Sequence, residues 1–362
     1  AMAYSNIVSY YCRAYDAGTA ATTRGLPLLT KVDVSAKPRS ANLKATYEFI
    51  LNDLKMADDL LQADGPDEDA AVGVLINKTM TKALRARVLL NMGDYTNALA
   101  EAEALINSGH FALANSANAL KDMWTNDQGS EFIYVPAGTP DERYEYVTNV
   151  NSNNFHAYST AAGAFSPDWI PSKATVEMYS TNDWRTKIYL DPKDVKCQDQ
   201  KASHVALFNK FLNNPNLGKK GDSKYAQYSL PKLFRIAETY LIAAEAAYRL
   251  NDAAKAQQYL NALRTKRGLL ATVETGESLA KEIRMEWKRE FMGEGMYFHV
   301  LKRWGLGFTR DAATQTGAAN VVYGGEAAAN IGLTVDPTFH NNWTFEIPTQ
   351  EKTMNPNVEL FD

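Results

Sequence analysis

LFRIAETYLIAAEAAYRLNDAAKAQQYLNALRTKRG, residues Leu233 to Gly268, is the stretch that decides the fold. Apolar residues recur at Leu233, Ile236, Ala237, Tyr240, Leu241 and Ala244. That spacing is the stripe of a helix with one buried face. Asn251-Asp252 breaks the pattern, and Asn suits the left-handed position that ends a helix. A second stripe follows at Ala256, Tyr259, Leu260 and Leu263. Arg264, Lys266 and Arg267 then precede Gly268, a good helix stop. The stretch is a helical hairpin.

An earlier segment has the same design. Lys82 to Met92 predicts a helix, Gly93-Asp94 a turn, and Tyr95 to Ile106 a return helix. Placing Gly93 on Asn251 puts Asp94 on Asp252, Ala98 on Ala256 and Leu105 on Leu263. This is an internal repeat of tetratricopeptide type, in two copies too far apart to form a tandem array. After the second copy comes EIRMEWKREFMGEGMYFHVLKRWG, Glu282 to Gly305, which reads as part of one long helix over 279–303. Trp287, Phe291, Met292, Tyr297 and Phe298 form its expected core stripe. Glu282, Arg284, Glu286, Lys288, Arg289 and Glu290 read as a solvated charged face. Trp304 reads as a buried anchor before a stop at Gly305. Gly293-Glu294-Gly295 has neither the preceding strand nor the following Lys-Ser/Thr of a phosphate loop.

Elsewhere the pattern predicts helices over 3–16 and 42–61, a strand over 129–136, and loop-rich stretches over 137–168, 191–228 and 305–337. Cys12, among Ile7, Tyr10, Tyr11 and Ala14, reads as a buried structural thiol. A structureless stretch as long as 137–168 inside a compact domain is usually functional. Tyr144, Tyr146, Phe155, His156, Tyr158, Phe165 and Trp169 crowd it, beside Asn149, Asn151, Asn153 and Asn154. Sugar rings present apolar C–H faces that stack on aromatic rings, while their hydroxyls need planar polar partners. Aromatics and Asn on a rigid scaffold therefore suit glycan capture. The plainer reading is that these rings pin the loop to the scaffold.

Composition narrows the alternatives. A chain of 362 residues with 45% hydrophobic side chains can bury a large core. Its net charge of −4, without a basic tract, gives nucleic-acid binding no support. No apolar run approaches the ~20 residues that cross a bilayer. Cys12 and Cys197 make no disulfide framework or metal cluster. His110, His156, His204, His299 and His340 lack zinc-ligand spacing, and there is no Gly-x-Ser-x-Gly elbow. Asp168, Asp183, Asp191 and Asp194 fall in predicted loops. As paired carboxylates they would be the only basis for a glycoside hydrolase. The oxygen-rich runs Asn182-Asp183 and Asp191–Asp194 would suit calcium, and no other cofactor is implied. Asp183 with Arg185 reads as an ion pair or loop clamp, and Trp184 as structural.

Taken in order, these blocks resemble the SusD-like (RagB-like) outer-membrane nutrient-binding lipoproteins. The second hairpin, the Arg303-Trp304-Gly305 ending and the closing WTFEIPTQEKTMNP, Trp343 to Pro356, carry the likeness together. RGLPLLTKV (Arg24–Val32), GSEFIYVP (129–136) and the Tyr179…Asp183-x-Arg185 segment extend it over about residues 3–362. The resemblance implies a mostly α fold, with tetratricopeptide-like hairpins forming a helical scaffold, a long loop-rich insert and a few short strands. It implies one domain over 1–362: scaffold about 1–128 and 229–305, insert about 129–228, C-terminal loop and strand 306–362. The implied function is binding, not catalysis. An oligosaccharide would be captured at the cell surface and passed to a SusC-like TonB-dependent transporter of the outer membrane. A lipid anchor outside this chain would hold the protein there. The segment that family members carry before the equivalent of residue 3 is not in this sequence, and it often supplies ligand contacts. Tyr144, Asn154, Tyr158 and Trp169 are the expected ligand-binding residues. A peptide cargo, as in RagB-like members, is the alternative.

Overall fold

The computed structural model describes residues 1–61, 74–141, 156–159, 162–197, 199–211, 214–219, 228–310, 315–321, 333–338 and 343–360. The chain opens with α1 (Met2–Tyr11), α2 (Leu43–Leu60), α3 (Lys78–Met92), α4 (Tyr95–Asn107) and α5 (Ala117–Thr125). Short strands β1 (Phe132–Tyr134), β2 (Tyr158–Ser159) and β3 (Ala164–Phe165) lead to α6 (Lys173–Glu177). The longer β4 (Leu190–Cys197) and β5 (Gln200–Phe208) follow, then β6 (Phe234–Arg235), which pairs with β1. Next come α7 (Ile236–Arg249), α8 (Ala253–Thr265), α9 (Gly276–Glu290) and α10 (Met296–Trp304). The antiparallel pair β7 (Phe308–Arg310) and β8 (Leu333–Val335) and the short α11 (Thr349–Met354) close the chain. This is the mostly helical, hairpin-based fold that the sequence implies.

The repeat extends to the hydrogen bonds of its turns. Gly93 and Asn251 are both left-handed, with φ of 74° and 62°. The amides of Gly93 and Asp94 donate to the carbonyls of Leu90 and Leu89. Those of Asn251 and Asp252 donate to Tyr248 and Ala247. This is the Schellman pattern, which satisfies carbonyls left open at a helix end. Asp94 and Asp252 then cap the return helices, accepting from the amides of Asn97 and Lys255 at 3.3 and 3.0 Å. Each cap contributes ~1 kcal/mol. Ala98 and Ala102 of α4 and Ala243, Ala244 and Ala247 of α7 are wholly buried. Small side chains there let the two hairpins pack closely through α4 and α7.

Several expectations are corrected. The first helix ends at Tyr11, with Cys12 extended, and Leu233 lies before α7 and is 36% exposed. The long helix over 279–303 is two helices. Gly293 and Gly295 are left-handed, with φ of 77° and 76°, and the chain turns between α9 and α10. Trp304 is only half-buried, stacked on Tyr248 at 5.9 Å. The C-terminal strand expected in WTFEIP does not form. Instead the amide of Phe345 donates to the Tyr10 carbonyl at 2.9 Å, and the two rings stack at 5.5 Å. The 191–228 stretch is not all loop, since β4 and β5 pair in register from Leu190↔Phe208 to Cys197↔Gln200. Pro192 and the charged outward residues hide the strand alternation. His204 is left-handed at φ 59°, next to the point where the register shifts, as in a β-bulge. With β2 and β3 they form a four-stranded sheet, in the order β2-β3-β4-β5.

The charged face of α9 is the largest correction. Glu286 and Glu290 are wholly buried, in an ion network that mounts the sheet-bearing insert on the helices. Glu290 Oε1 accepts from Arg235 Nη1 at 2.7 Å and Arg267 Nη2 at 3.0 Å. Its Oε2 accepts from Arg267 Nε at 2.8 Å and Arg185 Nη1 at 3.1 Å. Arg185 also holds Asp183 through Nε and Nη2 at 2.9 and 2.8 Å, which is the clamp expected from Asp-x-Arg. Glu286 lies 2.7 Å from Arg185 Nη1. Glu131, just before β1, accepts from Arg267 Nη2 at 2.9 Å. Charge-assisted, two-pronged Arg–carboxylate geometry is what lets these groups leave water.

Candidate ligand-binding site

The insert's sheet gathers part of the predicted site. Tyr158 on β2 stands opposite Phe165 on β3 in an antiparallel pair. Directly opposed strand residues bring their side chains together, and here the rings meet edge to face at 5.2 Å. The His156 ring also meets Phe165 edge to face, at 4.7 Å. Phe165 also pairs with Val195 of β4, next to the charged residues of that strand. His156 Nε2 lies 3.2 Å from Asp191 Oδ2, which Lys193 Nζ approaches at 2.7 Å. The Lys193 ammonium sits 5.6 Å over the Phe165 ring. Burial raises the Asp191 carboxyl, but hydrogen bonds from His156 and Lys193 and the charge of Lys193 outweigh it, so its pKa falls. Asp191 stays anionic, as a fixed acceptor at the patch edge.

Trp169 is 61% exposed, an unusual position for the largest aromatic side chain. Its backbone neighbours are tied down. Ile170 packs against the cluster of Val195, Val205 and Leu207, and the Pro171 carbonyl accepts from Gln315 Nε2 at 2.8 Å. The Trp169 ring thus stands in solvent on a backbone that its neighbours hold. Among the described residues no ring contact joins Trp169 to Tyr158, so the structure does not bring these two together. Tyr144 and Asn154 lie outside the described residues, as do Tyr146 and Phe155. Lys193 was missed in the sequence, and the signal that finds it is the strand register of β4.

Of the four carboxylates weighed for catalysis or calcium, two are engaged in ion pairs. Asp183 is consumed by Arg185, and Asp191 by His156 and Lys193. Asp168 and Asp194 are exposed. Among the described residues no group of three or more His, Cys, Asp or Glu could hold a metal. No helix of the described residues is long and apolar enough to cross a membrane. The patch sets the rings of His156, Tyr158 and Phe165 beside the Asp191–Lys193 ion pair on the four-stranded sheet.

The profile of the SusD family matches residues 37–359. The chain belongs to the SusD family. A SusD-like protein of Formosa agariphila is 22% identical over 322 residues, covering 77% of this chain and 62% of that relative. The chain thus spans about three-fifths of the curated relative's length. Among solved structures, a SusD superfamily protein of Bacteroides thetaiotaomicron superposes with a TM-score of 0.73 at 24% identity, covering 99% of this chain and 75% of the other. A SusD-like carbohydrate binding protein of Bacteroides vulgatus gives 0.68 at 18%, covering 98% and 74%. At these identities the likeness to solved structures shows the SusD fold. The mostly helical fold of this SusD-family chain is therefore the one its solved relatives share.

Proposed function

We propose that this SusD-family chain captures an oligosaccharide at the cell surface and passes it to a SusC-like TonB-dependent transporter of the outer membrane. It does so by stacking and hydrogen bonding, with no covalent step. The observation that carries the reading is the exposed Trp169, backed by a held backbone, on the same insert as the Tyr158–Phe165 pair. One sugar face would lie on Trp169, with Tyr158, Asn154 and Tyr144 as further contacts along an extended oligosaccharide. Family membership and the carbohydrate-binding relative support the same ligand class. A lipid anchor outside this chain would keep it at the membrane. Affinity is expected to be modest, because ordering an open loop site offsets much of the contact energy.

The test is a glycan array with the purified chain, its folding checked by circular dichroism. Binding to one linkage family, lost when Tyr144→Ala, Tyr158→Ala and Trp169→Ala are combined, supports the reading. A folded chain that binds no glycan overturns it in favour of a peptide cargo.

A further inference from the structure

Away from the aromatic patch, a cavity of about 320 Å³ opens between α6, the end of β5 and the turn joining α9 to α10. Its size falls at the small end of the ~300–1,000 Å³ typical of small-molecule pockets. Phe208, Phe211, Phe298 and Met178 are among its lining residues. Gly293 and Gly295 of the turn complete the lining, and a Cβ on Gly293 would stand 3.4 Å from the Phe211 ring. A sugar would bury several hydroxyls against carbon here without partners, so a glycan does not fit this wall. Aromatic rings and methionine sulfur favour an aromatic guest, edge to face.

Two lysines line the cavity, and they differ. Lys210 is spent, because its Nζ donates to the carbonyls of Glu290 and Met292 at 2.6 and 3.2 Å and to the Glu294 carboxylate. Lys288 has no carboxylate within ion-pair reach among the described residues, and its recorded neighbour is the Tyr297 ring at 5.8 Å. Lys288 is half-buried, so it loses part of its hydration without an anion in return. Its pKa is lowered by burial alone, with no opposing acid. We propose that this cavity binds a small aromatic monocarboxylate, with its ring among Phe208, Phe211 and Phe298 and its carboxylate on Lys288. The guest supplies the one charge that the cavity lacks. The site is separate from the proposed glycan platform, and neither depends on the other.

Isothermal titration of the whole chain with 4-phenylbutyrate, and with its uncharged analogue 4-phenylbutanol, tests this. Saturable binding of the acid, about tenfold tighter than the alcohol, is expected. Lys288→Met should bring the acid down to the level of the alcohol and leave the alcohol unchanged. Thr175→Trp, which puts an indole in the cavity mouth, should abolish both, with circular dichroism checking the fold. If Thr175→Trp does not fold, the Lys288→Met comparison decides. No saturable binding of phenylbutyrate at millimolar concentration overturns the proposal. So does equal binding of acid and alcohol, or a Lys288→Met variant that binds the acid as the wild type does.

Discussion

Arg267 and Glu290 form a two-pronged pair wholly out of solvent, with Nε and Nη2 of the arginine 2.8 and 3.0 Å from the two carboxylate oxygens. The arginine follows α8 and the glutamate ends α9, so the pair ties the second hairpin to the next helix. Through Arg185 and Arg235 the same carboxylate also holds the turn after α6 and the strand β6. Removing it takes one carboxylate from three buried guanidinium groups at once, leaving Arg185 to Asp183 and Glu286, Arg267 to Glu131 and Arg235 to Glu294.

Glu290→Ala is therefore expected to cost about 3–5 kcal/mol, the usual range for breaking one partner out of a buried pair. Urea denaturation would show it as a lower midpoint. Lys55→Ala is the control, because Lys55 and Asp59 pair at 3.3 Å on an exposed helix face. Such surface pairs contribute ~0–1 kcal/mol. Similar small losses in both variants would mean that the network is ornamental to stability.

Stability should fall with acid over two separable pH windows. Burial pushes the His299 pKa from 6.5 down to about 4, with Arg303, Arg87 and Lys302 adding to the effect. The unfolded histidine binds a proton first, so stability is full above pH ~6.5 and falls as pH drops toward about 4. Burial raises the Glu290 carboxyl, but Arg267, Arg235 and Arg185 outweigh it and hold the group well below its usual range. Its contribution is present above the unfolded value of ~4.3 and is lost at lower pH. His299→Gln should flatten stability between pH 6.5 and 4 and leave the limb below ~4.3 in place. Urea midpoints of the variant that still fall across the upper window would assign that loss elsewhere.

Gly268 stops α8 at φ 80°, and a Cβ there would stand 2.4 Å from the Asn182 carbonyl and 2.6 Å from the Trp184 ring. The Trp184 amide donates to the neighbouring Arg267 carbonyl at 2.9 Å, so the insert is pressed against this turn. Gly109 has a similar φ of 70° but open space around it. Gly109→Ala should cost ~1 kcal/mol from backbone conformation alone. Gly268→Ala should cost about 1–3 kcal/mol more, from overpacking. Thermal melts of equal depression would show that the crowding at Gly268 relaxes freely.

The hairpins were legible because each rests on local signals. A stripe at helical spacing, a residue tolerant of the left-handed turn and an aspartate cap can all be read within one stretch. What sequence could not give was charge burial. Glu286 and Glu290 sit on α9 with the spacing of a surface helix, and the arginines that bury them come from residues 185, 235 and 267. Such pairing depends on tertiary contacts, which a helical pattern does not encode. The β4–β5 hairpin was missed for a related reason, since Pro192 and the bulge at His204 interrupt the two-residue alternation. At the candidate site, the crowding of Tyr158, Phe165, His156 and Trp169 was visible in sequence. Their separation into a packed trio and one exposed ring was not.

That separation yields the sharpest prediction for binding. Trp169 is 61% exposed, so Trp169→Ala removes little buried surface and should shift stability by less than ~0.5 kcal/mol. Its effect should fall on ligand, with about a tenfold loss of affinity for whichever glycan the array identifies, or ~1.4 kcal/mol. Phe165 is half-buried and holds Tyr158 at 5.2 Å, His156 at 4.7 Å and the Lys193 ammonium at 5.6 Å. Phe165→Ala should therefore lower stability by ~1–3 kcal/mol, since edge-to-face pairs contribute ~0.5–1.5 kcal/mol each beyond area burial. It should weaken binding only through Tyr158, whose ring loses its backing. Thermal melts and glycan titrations of both variants, run side by side, separate platform from support. A Trp169→Ala protein that melts as early as Phe165→Ala, or that binds as the wild type does, would show that the exposed ring is not the platform.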